Sequence, residues 1–184
     1  GSGKTTLTQG LLEWIGAIRI RTDVERKRLH GLDARARSGS GLDEGLYAAD
    51  ATERTYRRAL KLAETVAAAG GVAIVDGTFL KRWQRDLFRA RAAELGFPFV
   101  ILAFTASDAT LRARIVQRVQ RATDASEADL GVLEGQRRTR EPLAADERAY
   151  VVDIDAEAPP EHSRDPATWR AVCARLGIAG TPPP

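Results

Sequence analysis

The residues that could do chemistry begin with the first six, which read GSGKTT. A glycine-rich turn lets backbone N–H groups approach a phosphate, and a following helix turns its positive end toward it. Lys4 can place a charge beside the β- and γ-phosphates of a nucleotide, and the Thr5 hydroxyl can bind Mg²⁺. We therefore predict a loop that binds ATP and Mg²⁺ and consists of Gly1, Ser2, Gly3, Lys4, Thr5 and Thr6. The alternative is a chance surface turn, but an amphipathic helical pattern follows at once, as such a loop requires.

Two carboxylates stand where predicted strands end. Asp23 follows residues 17–22 and Asp76 follows the apolar run 72–75, and open α/β sheets gather ligands at this edge. Asp23 could accept a proton from an acceptor hydroxyl or orient it, with Arg26 one turn later to bind phosphate or acceptor. The alternative is a helix-capping aspartate with a surface arginine.

The segment Asp76-Gly77-Thr78 offers a second acidic site. We predict that Asp76 steadies Mg²⁺ or its water. The alternative is a helix or turn cap. A functional role is favoured over a cap, because a charge at the end of a fully buried strand costs roughly several kcal/mol unless it has a partner.

Three arginines repeat at helical spacing, namely Arg114, Arg118 and Arg121. Arg118 falls beside Leu111 on the apolar side of this predicted helix. An arginine there could swing over a bound nucleotide and neutralise charge in the transition state. Spacing alone favours a solvated arginine face in this arginine-rich chain; the functional hypothesis is that Arg114 contacts the nucleotide and that Arg118 is catalytic.

The elements that must position these residues alternate along the chain. Predicted strands cover 17–22, 72–75, 97–104 and 150–154, separated by helices over 7–15, 50–69, 81–95 and 126–138, one from 108 and a short one after 165. The run 72–75 is typical of a strand buried on both faces of a parallel sheet. This alternation predicts an α/β fold. The phosphate-loop pattern needs another glycine five residues before Gly3 and a strand before that, so we expect the chain to be a piece of a longer protein that lacks its first strand.

Composition bounds the remaining possibilities. The chain has 184 residues, 43% of them hydrophobic and 29% charged, which suits one globular domain. A net charge of +3 is too small to argue for a nucleic-acid surface. A lone cysteine, Cys173, excludes an internal disulfide and favours a cytoplasmic location. No run approaches the ~18 apolar residues of a membrane span.

Four segments in this order, GSGKTT, IRIRTDVERKRL, VAIVDGTFL and LRARIVQR, resemble the zeta-toxin and polynucleotide-kinase-like P-loop kinases. The resemblance runs from Gly1 to about Ile154. It looks closest to bacterial ATP-binding domains fused behind an aminoglycoside-phosphotransferase-like domain. It implies that Asp23 activates the acceptor hydroxyl and that Arg26 binds substrate or phosphate. It also implies that Asp76 and Thr78 form an acidic segment at the strand end that contacts the substrate, and that Arg118 is a catalytic arginine carried on a lid.

We therefore expect a doubly wound α/β domain with sheet order 2-3-1-4-5, in which strand 1 is missing. The expected kinase domain covers 1–155, and a C-terminal extension covers 156–184. In this order, residues 72–76 and 98–104 flank strand 1 and should not pair with each other.

The expected reaction is transfer of the γ-phosphoryl group of MgATP to a hydroxyl of a small molecule, a nucleotide-sugar or a polynucleotide end. Nucleic acid enters only as such an end, and no membrane is expected. The competing hypothesis is a regulatory nucleotide-binding module fused to another catalytic domain. An ATP-driven mechanical unit fits less well, because Gly77 rather than a second acidic residue follows Asp76.

Overall fold

The helices and strands alternate as the sequence predicts. The structure is a computed structural model that describes residues 2–34, 36, 48–121 and 130–178, without the side chains of 118–121, 130 and 160. The helices are α1 (Lys4–Ile15), α2 (Thr22–Leu29), α3 (Ala49–Ala68), α4 (Arg82–Leu95), α5 (Asp108–Arg121), α6 (Leu130–Thr139) and α7 (Pro166–Leu176). The strands are β1 (Ile18–Arg21), β2 (Ala73–Asp76), β3 (Ile101–Thr105) and β4 (Val151–Asp155). Short 3₁₀ helices cover Ala145–Tyr150 and Pro160–Arg164.

The strands form two parallel pairs. β1 pairs with β2, with Arg21 opposite Asp76, and β3 pairs with β4, with Ile101 opposite Val151. The predicted order counts a missing strand 1, so β1 to β4 correspond to its strands 2 to 5. The observed pairs are therefore the pairs 2-3 and 4-5 of the predicted order, which is that of P-loop kinases. In the described part of the chain no ladder joins β2 to β3, so the expectation that 72–76 and 98–104 do not pair is confirmed.

The prediction that β2 is buried on both faces needs correction. Every residue of β2 is partly exposed, as are Ile101 to Phe104 of β3. Both faces of β2 are nevertheless covered, since Ile74 packs against one apolar cluster and Ala73 and Val75 against another. The exposure arises because each strand has a hydrogen-bonded neighbour on one edge only among the described strands.

Two apolar clusters hold the helices on the sheets. The first lies between α1, α7 and β4 and consists of Leu11, Val152, Ile154, Trp169, Val172 and Cys173. The second lies between β1, α3 and α4 and consists of Ile20, Tyr56, Ala59 and Phe88. Helices therefore cover opposite faces of the strands, which is the doubly wound arrangement that the alternating pattern predicts.

Residues beyond 155 pack directly on α1. Gly10 of α1 approaches the segment 160–164 so closely that a Cβ on it would lie 2.0 Å from the Ser163 carbonyl oxygen. The same carbonyl accepts a hydrogen bond of 2.8 Å from Nε1 of the buried Trp169. The division of the chain at residue 155 stays a prediction, but the two parts share the first cluster.

Candidate active site

Gly3 sets the start of α1. It adopts a left-handed conformation (φ 79°) directly before Lys4, the first helical residue. A side chain here would be strained, and its Cβ would lie 3.3 Å from Nη1 of Arg114. Ser2, Lys4 and Thr5 are partly buried and Thr6 is exposed, whereas Gly1 lies outside the described residues. The backbone N–H groups of the first helical turn are available for a phosphate, as the loop prediction requires.

A hydrogen bond joins this loop to the end of β2. The Thr5 hydroxyl donates to Oδ2 of Asp76 over 2.5 Å. The two residues are 71 positions apart in the sequence, and both were predicted as magnesium ligands. A hydroxyl and a carboxylate are the hard oxygen donors that Mg²⁺ prefers. Thr5 and Asp76 would therefore hold the ion, which would neutralise charge on the phosphates of a nucleotide.

Asp23 lies in the first turn of α2, not at the end of β1 as predicted, because α2 begins at Thr22 directly after the strand. Burial raises the pKa of its carboxyl, and the nearby Asp76 raises it further. Arg26, Arg21 and Lys4 lower the pKa by their positive charges, but the net shift is upward. These influences show that the charges of Lys4 and Asp76 both reach Asp23. Asp23, the predicted base, is therefore within electrostatic reach of both Lys4 and Asp76.

Arg26 is buried rather than open to solvent. It is 7% exposed, and its Nη1 donates to the Thr52 hydroxyl of α3 over 3.1 Å. Its charge nevertheless acts on Asp23. The substrate-binding role of Arg26 stays a prediction, and its position one turn beyond Asp23 agrees with the helical spacing.

Thr78 is exposed in the loop between β2 and α4, beside a buried tyrosine. Its Oγ1 lies 3.5 Å from the Tyr56 hydroxyl. Burial raises the pKa of Tyr56, and the Asp23 carboxylate adds to that shift. The preceding Gly77 is required sterically, because a Cβ there would lie 2.9 Å from the Thr22 side chain. Because β1 and β2 are parallel, Thr78 lies at the same edge of the sheet as Asp23.

The predicted arginine helix reaches the phosphate loop through Arg114. Its Nη1 donates to the Ser2 carbonyl over 3.2 Å, so α5 lies against the start of the chain. Arg118 is one turn further along α5, and its side chain lies outside what the structure describes. Its catalytic role therefore stays a prediction.

Sequence reasoning missed Arg19, a residue of β1 whose side chain binds α1. Its guanidinium donates to Thr8 over 3.1 Å and to Gln9 over 3.0 Å, both on α1. Burial lowers the pKa of Arg19, and the nearby Asp76 opposes that shift. The strand alternation carried this signal, because Ile20 faces the second cluster and its neighbours must face the other side.

Tyr56 and Arg85 were also missed. They bond to the loop that carries Thr78, Tyr56 through the Phe79 N–H and Arg85 through the Phe79 carbonyl. Helical periodicity places Tyr56 on an apolar face, which indicates a core residue. It says nothing of the hydroxyl's partner.

A family profile described as an AAA domain matches residues 1–143. The chain belongs to this AAA domain family. Its phosphate loop, both carboxylates and Arg114 all lie within the matched range. The zeta-toxin or polynucleotide-kinase subgroup is a finer assignment that the match does not reach.

The AAA domain also has relatives of known sequence. It is 32% identical over 126 residues to an uncharacterized protein of Mycobacterium tuberculosis and, equally, to one of Mycobacterium bovis. The match covers 68% of this chain and 25% of each relative, so the chain spans about a quarter of their length.

Two solved structures share the fold. One is an unliganded sugar kinase from a Janibacter species, with a TM-score of 0.68 and 23% identity. The other is a gluconokinase from Sinorhizobium meliloti, with a TM-score of 0.63 and 19% identity. Each alignment covers 97% of this chain and 90% of the other. Among the described helices, none is long and apolar enough to cross a bilayer.

Proposed function

We propose that this AAA domain is an ATP-dependent phosphotransferase that moves the γ-phosphoryl group of MgATP to the hydroxyl of an acceptor. The observation that carries the proposal is the bond between Thr5 and Asp76, formed where the charges of Asp76 and Lys4 both act on Asp23. Phosphoryl transfer needs two oxygen ligands for magnesium, a phosphate-binding lysine and a second carboxylate at one place.

Each residue has a distinct role in the proposed reaction. Lys4 and the first turn of α1 hold the β- and γ-phosphates, and Thr5 and Asp76 hold Mg²⁺. Asp23 orients the acceptor hydroxyl and takes its proton as the oxygen attacks the γ-phosphorus and the bond to the ADP oxygen breaks. The raised pKa of Asp23 suits a base, since a more basic carboxylate accepts a proton more readily. Arg118 is the proposed cation on the transition state, and Arg114 the contact from α5 to the nucleotide.

The acceptor we favour is a small molecule with a free hydroxyl. The shared fold of the sugar kinase and the gluconokinase supports this class. The resemblance to zeta toxins and polynucleotide kinases keeps nucleotide-sugars and polynucleotide ends as candidates. Arg26 and Thr78 are the proposed acceptor contacts.

The single cysteine supports a cytoplasmic location.

One observation favours a regulatory role as the second candidate. The chain spans about a quarter of its mycobacterial relatives, so the rest of such a protein could hold another catalytic domain. An aminoglycoside-phosphotransferase-like domain is the partner we propose on the family resemblance. In that case the AAA domain would bind nucleotide and regulate its neighbour without using an acceptor.

The two functions can be separated with Asp23→Asn in the whole protein. As a kinase, the wild type releases ADP in response to an acceptor from a panel of sugars, nucleotides and polynucleotide ends. Asp23→Asn should then lose about 10²–10⁴-fold in turnover while its affinity for MgATP is kept, because a positioned base acts on the chemical step. Asp50→Asn, an exposed aspartate on α3 paired with Arg54, is the matched control and should be unaffected. A wild type that no acceptor stimulates would support the regulatory role instead.

A further inference from the structure

Phe79 has an unusual backbone conformation in the loop that leads from Asp76 to α4. It is the one non-glycine residue in the described part of the chain with a positive φ, 45°. L-residues adopt this conformation at a cost, and it persists where the surroundings hold it in place. Such positions cluster at sites where geometry must be set in advance. Phe79 directly follows Thr78, the proposed acceptor contact.

Two side chains from different helices hold the Phe79 backbone. Its N–H donates to the Tyr56 hydroxyl of α3 over 3.2 Å. Its carbonyl accepts from Nη1 of Arg85 on α4 over 3.1 Å. The Phe79 ring packs edge-on against Tyr56 and Phe88, with centroid distances of 5.1 and 5.3 Å. Because both clamping side chains are buried, competition by water for these bonds is limited.

Arg85 also binds the segment that follows α6. Its Nε and Nη2 donate to the two carboxylate oxygens of the fully buried Glu147, over 2.5 and 3.0 Å. Nη1 and Nη2 donate to the carbonyls of Glu141 and Pro142, over 3.3 and 3.2 Å. The Glu141 N–H in turn donates to the Leu80 carbonyl over 2.8 Å. One guanidinium therefore joins loop 77–81 to segment 141–147.

Segment 141–147 follows the C-terminal end of α6, which is paired with α5; these two helices are called the α5–α6 hairpin. Ion pairs between Arg112 and Glu134, at 3.2 Å, and between Arg137 and Asp108, at 2.6 Å, tie the two helices together. The hairpin touches the phosphate loop through Arg114. A continuous chain of bonded elements thus leads from the phosphate loop, over α5 and α6, to loop 77–81.

We propose that Tyr56 and Arg85 are positioning residues that fix loop 77–81 beside Asp76, and that Arg85 makes this loop respond to nucleotide through the α5–α6 hairpin. The proposal rests on the proposed function for its role in catalysis. Its consequence is coupling: nucleotide at α1 orders the loop that meets the acceptor, so the acceptor binds more tightly once nucleotide is present.

The test is amide hydrogen exchange in the whole protein, with and without MgADP as the probe. In the wild type, MgADP should slow exchange in residues 2–8, 77–81 and 141–147. Arg85→Lys keeps a charge for Glu147 but cannot reach several carbonyls as the guanidinium does. This variant should keep the protection of 2–8 and lose that of 77–81. Arg91→Lys, on the same helix and paired with Glu64 and Glu94, is the control.

Tyr56→Phe tests the clamp itself with little change of shape. It should speed exchange of the Phe79 amide about tenfold or more and leave 141–147 as in the wild type. With a working acceptor, its kcat/KM for that acceptor should fall roughly 10- to 100-fold while the KM for ATP stays unchanged. A fall of this size is expected because a small misplacement of the acceptor lowers the rate of the chemical step. Tyr150→Phe, a tyrosine that packs on Phe99, should change neither.

The outcomes separate the two proposals. Unchanged Phe79 exchange in Tyr56→Phe, or full MgADP protection of 77–81 in Arg85→Lys, would overturn the inference. Absence of MgADP protection at 77–81 in the wild type would overturn it as well. The exchange arm needs no acceptor, so failure of every acceptor in the panel would count against the kinase proposal alone.

Discussion

Gly10 of α1 lies directly against the carbonyl of Ser163, so close that a Cβ on it would be 2.0 Å from that oxygen. Replacing glycine by alanine inside a helix ordinarily stabilises a protein by about 1 kcal/mol. Here the clash must push the segment 160–164 away from α1. We expect Gly10→Ala to lower the free energy of unfolding by about 1–3 kcal/mol, measured by urea denaturation. Glu13→Ala, on the exposed side of the same helix, should stay within about 0.5 kcal/mol of wild type. A stabilised Gly10→Ala would contradict the close contact.

Lys4→Ala should abolish ATP binding or turnover in the whole protein. Lys4 is the side-chain charge that the loop offers to the phosphates, and backbone N–H groups alone do not replace it. Isothermal titration with MgATP measures the loss. Lys61→Ala, an exposed lysine on α3, serves as the control. Wild-type affinity and turnover in Lys4→Ala would rule out the phosphate-loop assignment.

The Thr5 hydroxyl should set the magnesium requirement. Thr5→Val keeps the size of the side chain but removes the oxygen, so turnover should need much more Mg²⁺ than in the wild type. Thr5→Ser restores the hydroxyl and should recover most of the wild-type response. A magnesium titration of turnover at fixed ATP distinguishes the variants. If valine and serine behave alike, the oxygen is not a ligand.

Asp23→Asn should stabilise the fold while it removes activity. Because burial raises the pKa of Asp23, the folded protein binds a proton at this carboxyl more tightly than the unfolded chain does. Its contribution to stability is therefore present below the ordinary pKa of an aspartate and is lost as the pH rises through the higher folded value. At neutral pH the substitution removes this cost, so Tm should rise.

The gain in Tm for Asp23→Asn should shrink as the pH is lowered toward the ordinary aspartate range. Melting curves from about pH 4 to about pH 8 would show this trend. Asp50→Asn, at an exposed site, should show little dependence of this kind. An equal or lower Tm for Asp23→Asn at neutral pH would argue against an unfavourable, partly buried charge at this position.

Local patterns predicted much of the fold, whereas the roles of the site residues stay predictions. The alternation of apolar runs predicted the strands, the order of the strands followed from the resemblance to P-loop kinases, and the glycine-rich start indicated Thr5 as a candidate. Asp76 could be assigned because a carboxylate at the end of an apolar strand needs a partner. Asp23 was indicated as a candidate, but its place in α2 rather than at the strand end was not predicted, since the two positions lie within about one residue of the same boundary.

The supporting residues could not be predicted in the same way. The bonds of Arg85 to Glu141, Pro142 and Glu147 reach residues 56 to 62 positions away, and no local period encodes such a distance. In a chain with 28 lysines and arginines, composition does not reveal which arginine is buried. The conformation of Phe79 depends on Tyr56 and Arg85 together, so it follows from the packing of α3 against α4.

The packing of α7 on α1 links heat stability to ligand binding. The first turn of α1 belongs to the predicted phosphate loop, while Leu11 on its flank packs in the same cluster as Trp169 and Val172. A nucleotide that binds only the folded form of α1 must also raise the melting temperature of α7, although it never touches that helix. By the same linkage, if nucleotide strengthens the packing of the Trp169 cluster, that packing strengthens nucleotide binding by the same coupling free energy. Residues after 155 therefore belong to the thermodynamics of the site, whatever their part in its chemistry.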